Sequence, residues 1–120
     1  MQLTLKDRII ILNGVLPRYD TRVHIKLVKS IKEKIILSDS ESAEVVYTNV
    51  GNNQYDISFK TVEAIMEECE FTFSDDEMSY LRGLVDRIDQ NGMFSEDTMP
   101  TYDKIYAEGG EENGNNTEEE

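Results

Sequence analysis

The stretch Ser74-Asp75-Asp76-Glu77, followed by Met78, Leu81, Leu84, Val85 and Ile88, constrains this chain more than any other. A serine hydroxyl can accept from the amide three residues on, while the Glu77 carboxylate returns a bond to the serine amide; this reciprocal cap fixes a helix start. Asp75 and Asp76 fall at the positive end of that helix. The apolar residues recur at steps of three and four, which makes one buried stripe. Asn91-Gly92 ends the helix, Gly92 being suited to a left-handed cap. The rest of the chain must supply the elements that cover this stripe.

Two helices are predicted upstream. The first runs from about Leu5 to Val15, capped by Thr4 with Asp7 returning the bond. Leu5, Ile9, Leu12 and Leu16 share a face, Gly14 weakens the last turn and Pro17 stops it. The second runs from about Thr21 to Ile35, capped by Asp20. Val23, Leu27, Val28, Ile31 and Ile35 form its apolar stripe, with His24 inside it; Arg22, Lys26 and Lys29 line the opposite face with Glu33. Ser38–Ser42 is polar and turn-forming.

Glu44–Val50 and Gln54–Phe59 then read as strands around Gly51-Asn52-Asn53, residues that tolerate positive φ. Lys60–Glu68 fits either a short helical turn or a loop. Cys69–Phe73 alternates enough for a short third strand. A last helix is expected from about Thr98 to Tyr106, with Met99, Tyr102, Ile105 and Tyr106 on its apolar side and Pro100 in its first turn.

Charge divides the chain. Of 120 residues, 12 are Lys or Arg and 25 are Asp or Glu. Residues 1–38 carry a net +5 and residues 39–120 a net −18. Ala107–Glu120 has six acids, no base and no apolar residue after Ala107, so burial cannot offset its ordering entropy. The sequence therefore predicts a single α+β domain over 1–106: two N-terminal helices, a small antiparallel sheet made of a hairpin plus a short third strand, and two C-terminal helices. A disordered acidic tail is expected over 107–120.

Several function classes are excluded or disfavoured. The longest apolar run, Ile9–Leu12, is far short of a membrane span, and the start of the chain carries no signal pattern. One cysteine permits no internal disulfide, which places the expectation in a reducing cytoplasm. One histidine and one cysteine exclude a His/Cys zinc site. Asp86–Asp97 is similar to a calcium loop, but setting Gly92 at its required position puts Arg87 at the first ligand and Thr98 at the closing one. Glu67, Glu68 and Glu70 surround Cys69 and would raise its thiol pKa, so a half-buried, unreactive strand cysteine is expected. His24 is read as having no cysteine, serine or acid near in sequence to orient it. Asp75 and Asp76 have a capping role before any metal-binding one. No catalytic, cofactor-binding or metal-binding residue is assigned and no cofactor is expected.

What remains is surface. Arg22, Lys26 and Lys29 form a basic stripe, and Asp75, Asp76, Asp86 and Asp89 an acidic helix face; these seven are the candidate interaction residues. Direct nucleic-acid binding is disfavoured, because Glu33 shares the basic face and no aromatic residues interleave. The acidic half suggests instead an imitation of DNA charge.

The run Leu3-Thr4-Leu5-Lys6-Asp7-Arg8-Ile9-Ile10-Ile11-Leu12-Asn13 ending at Leu16-Pro17, the run Ile25–Lys34, and the later capped helix followed by Tyr102-Asp103-Lys104-Ile105-Tyr106 occur in that order. Together they resemble a group of short, uncharacterised proteins encoded by bacteriophages and prophages. The resemblance spans residues 1–106 and carries over no functional residue. It implies a phage-derived protein, cytoplasmic in a bacterial host or virion-associated. The expected role is a non-enzymatic protein–protein interaction module with a phage or host protein partner. The alternative is a DNA-mimic inhibitor of a host nucleic-acid-binding enzyme. A second copy is a further possible partner.

Overall fold

The structure, a computed structural model, describes residues 1–111, with side chains through Ala107. The elements run β1 (Gln2–Leu3), α1 (Leu5–Ile10) continuing into a π-helical turn (Ile11–Val15), α2 (Arg22–Ile35), α3 (Asp39–Ser42), β2 (Val45–Gly51), β3 (Gln54–Phe59), α4 (Glu63–Met66), β4 (Cys69–Glu70), α5 (Asp75–Gln90) and α6 (Met99–Glu111). The α+β class expected from the sequence holds.

Helix α5 is built as its sequence dictates. The Ser74 hydroxyl accepts from the Glu77 amide at 3.1 Å, and the Glu77 carboxylate accepts from the Ser74 amide at 2.8 Å. At the other end Gly92 sits at φ 66°. Its amide donates to the Asp89 carbonyl and the Met93 amide donates to the Ile88 carbonyl, the paired bonds of a Schellman stop. Leu81 and Val85 have no exposed surface, and they meet Ile31 and Ile35 of α2 and Ile105 of α6 in one core.

The first helix differs from expectation in its second half. Thr4 and Asp7 make the expected reciprocal cap at 3.1 and 3.0 Å. Beyond Ile10 the helix widens, and the Leu16 amide bonds five residues back to Ile11. The wider turn rotates the later side chains. Ile11 and Val15 become buried in place of Leu12 and Leu16, which are half-buried. Leu16 then leaves in an extended conformation, as the residue before Pro17 must.

Helix α2 starts one residue later than expected and is capped by Thr21, whose hydroxyl accepts from the His24 amide. Asp20 is thereby free for the contacts described below. Val23, placed on the apolar stripe by its spacing, is 69% exposed; His24 makes the inward contact at that level. The turn after Ser38 closes into the short helix α3 through a second serine–glutamate box.

The expected single sheet is two separate pairs. The hairpin β2–β3 forms as predicted, with Asn52 and Asn53 both at positive φ in its turn. The third strand does not join it. It shortens to β4 and pairs antiparallel with β1, Leu3 opposite Cys69. The helical turn α4 carries the chain away from the hairpin and back to the N-terminal segment, where Leu3 is buried. Cys69 is exposed rather than half-buried: it lies opposite the buried Leu3, but on the two-residue edge strand β4 it borders an open hollow shared with Leu3, Arg8, Glu41 and Ala64. Helix α6 holds Pro100 in its first turn, with Met99 44% exposed, and buries Tyr102 and Ile105. It continues through Glu111, so the tail expected from Ala107 is helical for its first residues; extending an existing helix needs no new nucleus. The rest of that tail lies outside the described residues.

Candidate functional site

Among the described residues the least covered part is the β2–β3 arm. Charged residues make up 31% of the chain, yet Asp56 is the only one between Val45 and Phe59. The register pairs Val45 with Phe59, Tyr47 with Ile57 and Asn49 with Tyr55. Residues directly opposite share a face, so Val45, Tyr47, Tyr55, Ile57 and Phe59 lie together and Val46, Thr48, Asp56 and Ser58 lie on the reverse. The apolar face is not a core face: Tyr47, Tyr55 and Ile57 are 56, 58 and 40% exposed. Val62 and Ile65 of the α4 region are also exposed and border the same hollow as Ile57 and Phe59. The exposed apolar side chains of the arm thus gather on one face, on a chain otherwise rich in charge. Between β3 and α1 runs a groove of about 570 Å³, walled by Tyr55, Ile57 and Phe59 on one side and Ile9, Ile10 and Gly14 on the other.

The root of the arm is fixed by a buried base. Arg8 is 4% exposed. Its guanidinium grips both Glu41 carboxylate oxygens, at 2.7 and 3.0 Å. It also donates to the Ile35 and Ile36 carbonyls at the end of α2 and lies 5.0 Å over the Phe71 ring. Glu41 belongs to α3, the element that leads into β2. The Arg8 hydrogen bonds hold the Glu41 carboxyl at about 2, against a usual 4.5. On the neighbouring position Asp7 accepts from Thr4, Thr101 and Lys104, tying α1 to α6. Burial alone would raise the Asp7 pKa; those hydrogen bonds outweigh it and lower it.

A second surface is the groove between α2 and α5, about 680 Å³, lined by His24, Lys26, Asp76, Ser79, Tyr80 and Arg87 among others. Here Asp20 accepts from the Tyr80 hydroxyl at 2.6 Å and lies 3.0 Å from His24 Nδ1, while the His24 and Tyr80 rings sit 4.7 Å apart. The expectation that His24 has no acid to orient it is wrong: Asp20, one helical turn earlier, does so. The Tyr80 hydrogen bond is the first cause, with the Thr21 amide and His24 adding, that draws the Asp20 carboxyl down to about 2. Burial and the same bond push the Tyr80 phenol well above its usual range. No hydrogen bond joins Ser79 to His24 among the described residues, so the cluster lacks a nucleophile held against its imidazole. Elsewhere between the same two helices Glu77 accepts from Ser30 and Lys34 of α2, an internal bridge between basic and acidic helices. Burial of Glu77 is overridden by the Lys34, Ser30 and Ser74 hydrogen bonds, and its pKa is lowered.

All seven sequence-predicted surface residues are exposed: Arg22, Lys26 and Lys29 on α2, Asp75, Asp76, Asp86 and Asp89 on α5. Lys26 and Asp76 are brought to one groove. None of the seven enters an ion pair among the described residues. Among the described residues no group of three or more His, Cys, Asp or Glu is placed to hold a metal, and no helix is long and apolar enough to cross a membrane. Sequence reasoning missed the arm's exposure and the burial of Arg8. Only the latter had a signal: Arg8 falls in phase with Leu5 and Leu12 on a helix face otherwise apolar.

No protein-family model, no curated protein and no solved structure matches the chain.

Proposed function

We propose that this chain is a small, acidic, non-enzymatic protein–protein interaction module, and that the β2–β3 arm is its contact element. One observation carries the reading: the arm exposes Tyr47, Tyr55 and Ile57 on one face and holds a single charge in a chain of net charge −13. Interface centres are depleted in charge and enriched in tyrosine. The sequence resemblance makes a bacteriophage or prophage the proposed source, and a phage or host-bacterial protein the proposed partner.

The test is affinity capture from bacterial lysate with the full chain, the arm variant Tyr55→Ser/Ile57→Ser and the stripe variant Lys26→Glu/Lys29→Glu. The arm variant loses the retained protein while its circular dichroism is unchanged, and the stripe variant keeps it. The opposite pattern removes the arm and assigns contact to α2.

A DNA-mimic reading has its own observation in Asp75, Asp76, Asp86 and Asp89 of α5, exposed and with no ion pair among the described residues. It requires that DNA compete with the chain for the partner, with a steep loss of binding as salt rises.

A further inference from the structure

We propose that two copies of this chain join through the free edge of β2, forming a four-stranded antiparallel sheet in the order β3-β2-β2-β3 about a two-fold axis at Tyr47. The proposal deepens the reading of the arm as contact element and rests on it.

The edge is open and unguarded. Among the described residues β2 bonds only to β3, and β3 is the strand whose residues wall the groove against α1. Natural edge strands are usually blunted by lysine, proline or an inward charge. Val45–Gly51 has none of these; its irregularity lies at Asn49–Gly51, beside the turn. A lone two-stranded hairpin is marginal in water, and doubling it to four strands relieves that.

The register then selects the partner. The Lys60 amide donates to the Glu44 carbonyl, which makes Glu44 and Lys60 a hydrogen-bonded pair. Antiparallel ladders alternate, so Val46 and Thr48 turn their backbone groups toward β3. Val45, Tyr47 and Asn49 turn theirs outward. Those three positions are symmetric about Tyr47. Setting Tyr47 opposite its own copy places Val45 opposite Asn49 at both ends, and about six main-chain hydrogen bonds form. A self-complementary edge of this kind gives a closed, isologous contact rather than a fibre.

Charge points the same way. Two bodies of net charge −13 repel wherever acids face each other. The arm, with one charge and that on β3, is where they can meet. A contact of one strand edge and adjoining side chains falls in the class of small, transient interfaces below about 1,200 Å², so the dimer is concentration-dependent.

Sedimentation of the full chain from about 1 µM to about 1 mM, a range suited to interfaces of that class, shows the mass rising from 13.8 kDa toward twice that value. Raising the salt strengthens the association by screening the acidic bodies. Tyr47→Pro removes an outward amide without touching the β2–β3 ladder, as proline is tolerated on a free edge, and it stays monomeric, as does Tyr47→Lys. Tyr19→Ser, an exposed change outside the arm, dimerises like the wild type. Amide exchange in the wild type alone gives an independent reading: exchange at Val45, Tyr47 and Asn49 slows as concentration rises. A chain monomeric throughout the range overturns the proposal, as does a dimer that the Tyr47 variants leave intact or one that salt dissolves. A monomer that still captures a partner through Tyr55 and Ile57 refutes self-pairing and leaves the functional reading standing.

Discussion

Replacing Glu41 with glutamine tests whether the Arg8 anchor holds the arm to the body. The Arg8 side chain is 5% exposed and that of Glu41 33%. Without the carboxylate charge, the guanidinium stays buried with two carbonyls and the Phe71 ring as partners. Breaking a buried ion pair from one side costs about 3–5 kcal/mol. Glu41 is partly solvated and glutamine retains an acceptor, so the loss here falls near about 2–3 kcal/mol. For a domain of this size about 4 °C accompanies each kcal/mol, and the melting temperature drops by about 8–12 °C. Thermal unfolding followed by circular dichroism at pH 7 measures it, and added salt changes the difference little because the pair is shielded. The gap also depends on pH. Glu41 titrates at about 2 in the folded chain against 4.5 in the unfolded one. Its contribution is therefore complete above pH 4.5 and disappears as the pH falls through the folded value. A variant melting within about 2 °C of wild type, or a gap that persists at pH 2, refutes the account of Arg8 and Glu41 as the anchor.

Glu77→Ala removes the α5 capping partner and the acceptor for Ser30 and Lys34 from a side chain 3% exposed. Urea unfolding should show a loss of about 3 kcal/mol, and a loss under about 1 kcal/mol counts against the bridge. Asp7 and Glu77 both have lowered folded-state pKa values. Stability is then lost as acidification protonates them below their unfolded values, and an acid titration of unfolding free energy that stays flat from pH 5 to 2 contradicts this. Tyr80→Phe should let the Asp20 carboxyl rise from about 2 toward 3.8, read by carboxyl NMR titration; no movement means the phenol hydrogen bond is not its main cause. Gly92→Ala meets no neighbouring atom but must adopt φ 66°, so it destabilises by about 1 kcal/mol through the backbone alone.

The parts of the fold that were legible are those whose physics is local. Ser74 with Glu77, Thr4 with Asp7, and Asn52-Asn53 between two alternating runs each contain cause and effect within a few residues. Tertiary contacts decided the rest. The widening at Ile11, which exchanges Leu12 and Leu16 for Ile11 and Val15 in the core, places them in one cluster with residues of α5 and α6 and leaves no periodic trace. The pairing of β1 with β4 joins segments of two residues each, too short for alternation to register. The Asp20 assignment went wrong because two adjacent residues, Asp20 and Thr21, can both cap a helix. What distinguishes them is Tyr80, sixty positions away, which claims the carboxylate.

The same division explains the site. The seven charged residues were predicted exposed and are exposed, since a charged side chain on the outward face of an amphipathic helix has nowhere else to go. The arm's strands were equally legible, with period-two patterns at Val46, Thr48, Val50 and at Tyr55, Ile57, Phe59, but the register joins Val45 and Tyr47 to the second set, and that face lies in solvent at Tyr47, Tyr55 and Ile57. Alternation reports that one face differs from the other; it does not report what covers that face. In the hairpin the inward backbone groups of β2 and β3 pair with each other and the turn fixes the register, so the arm needs the body only at its root, through Glu41 and Arg8. An apolar face that the body does not cover is what the proposed contact role of the arm rests on. Local legibility of the strands and missing cover over Tyr47, Tyr55 and Ile57 thus have one source: the register is set within the hairpin, and the body holds the arm only at its root, through Arg8 and Glu41.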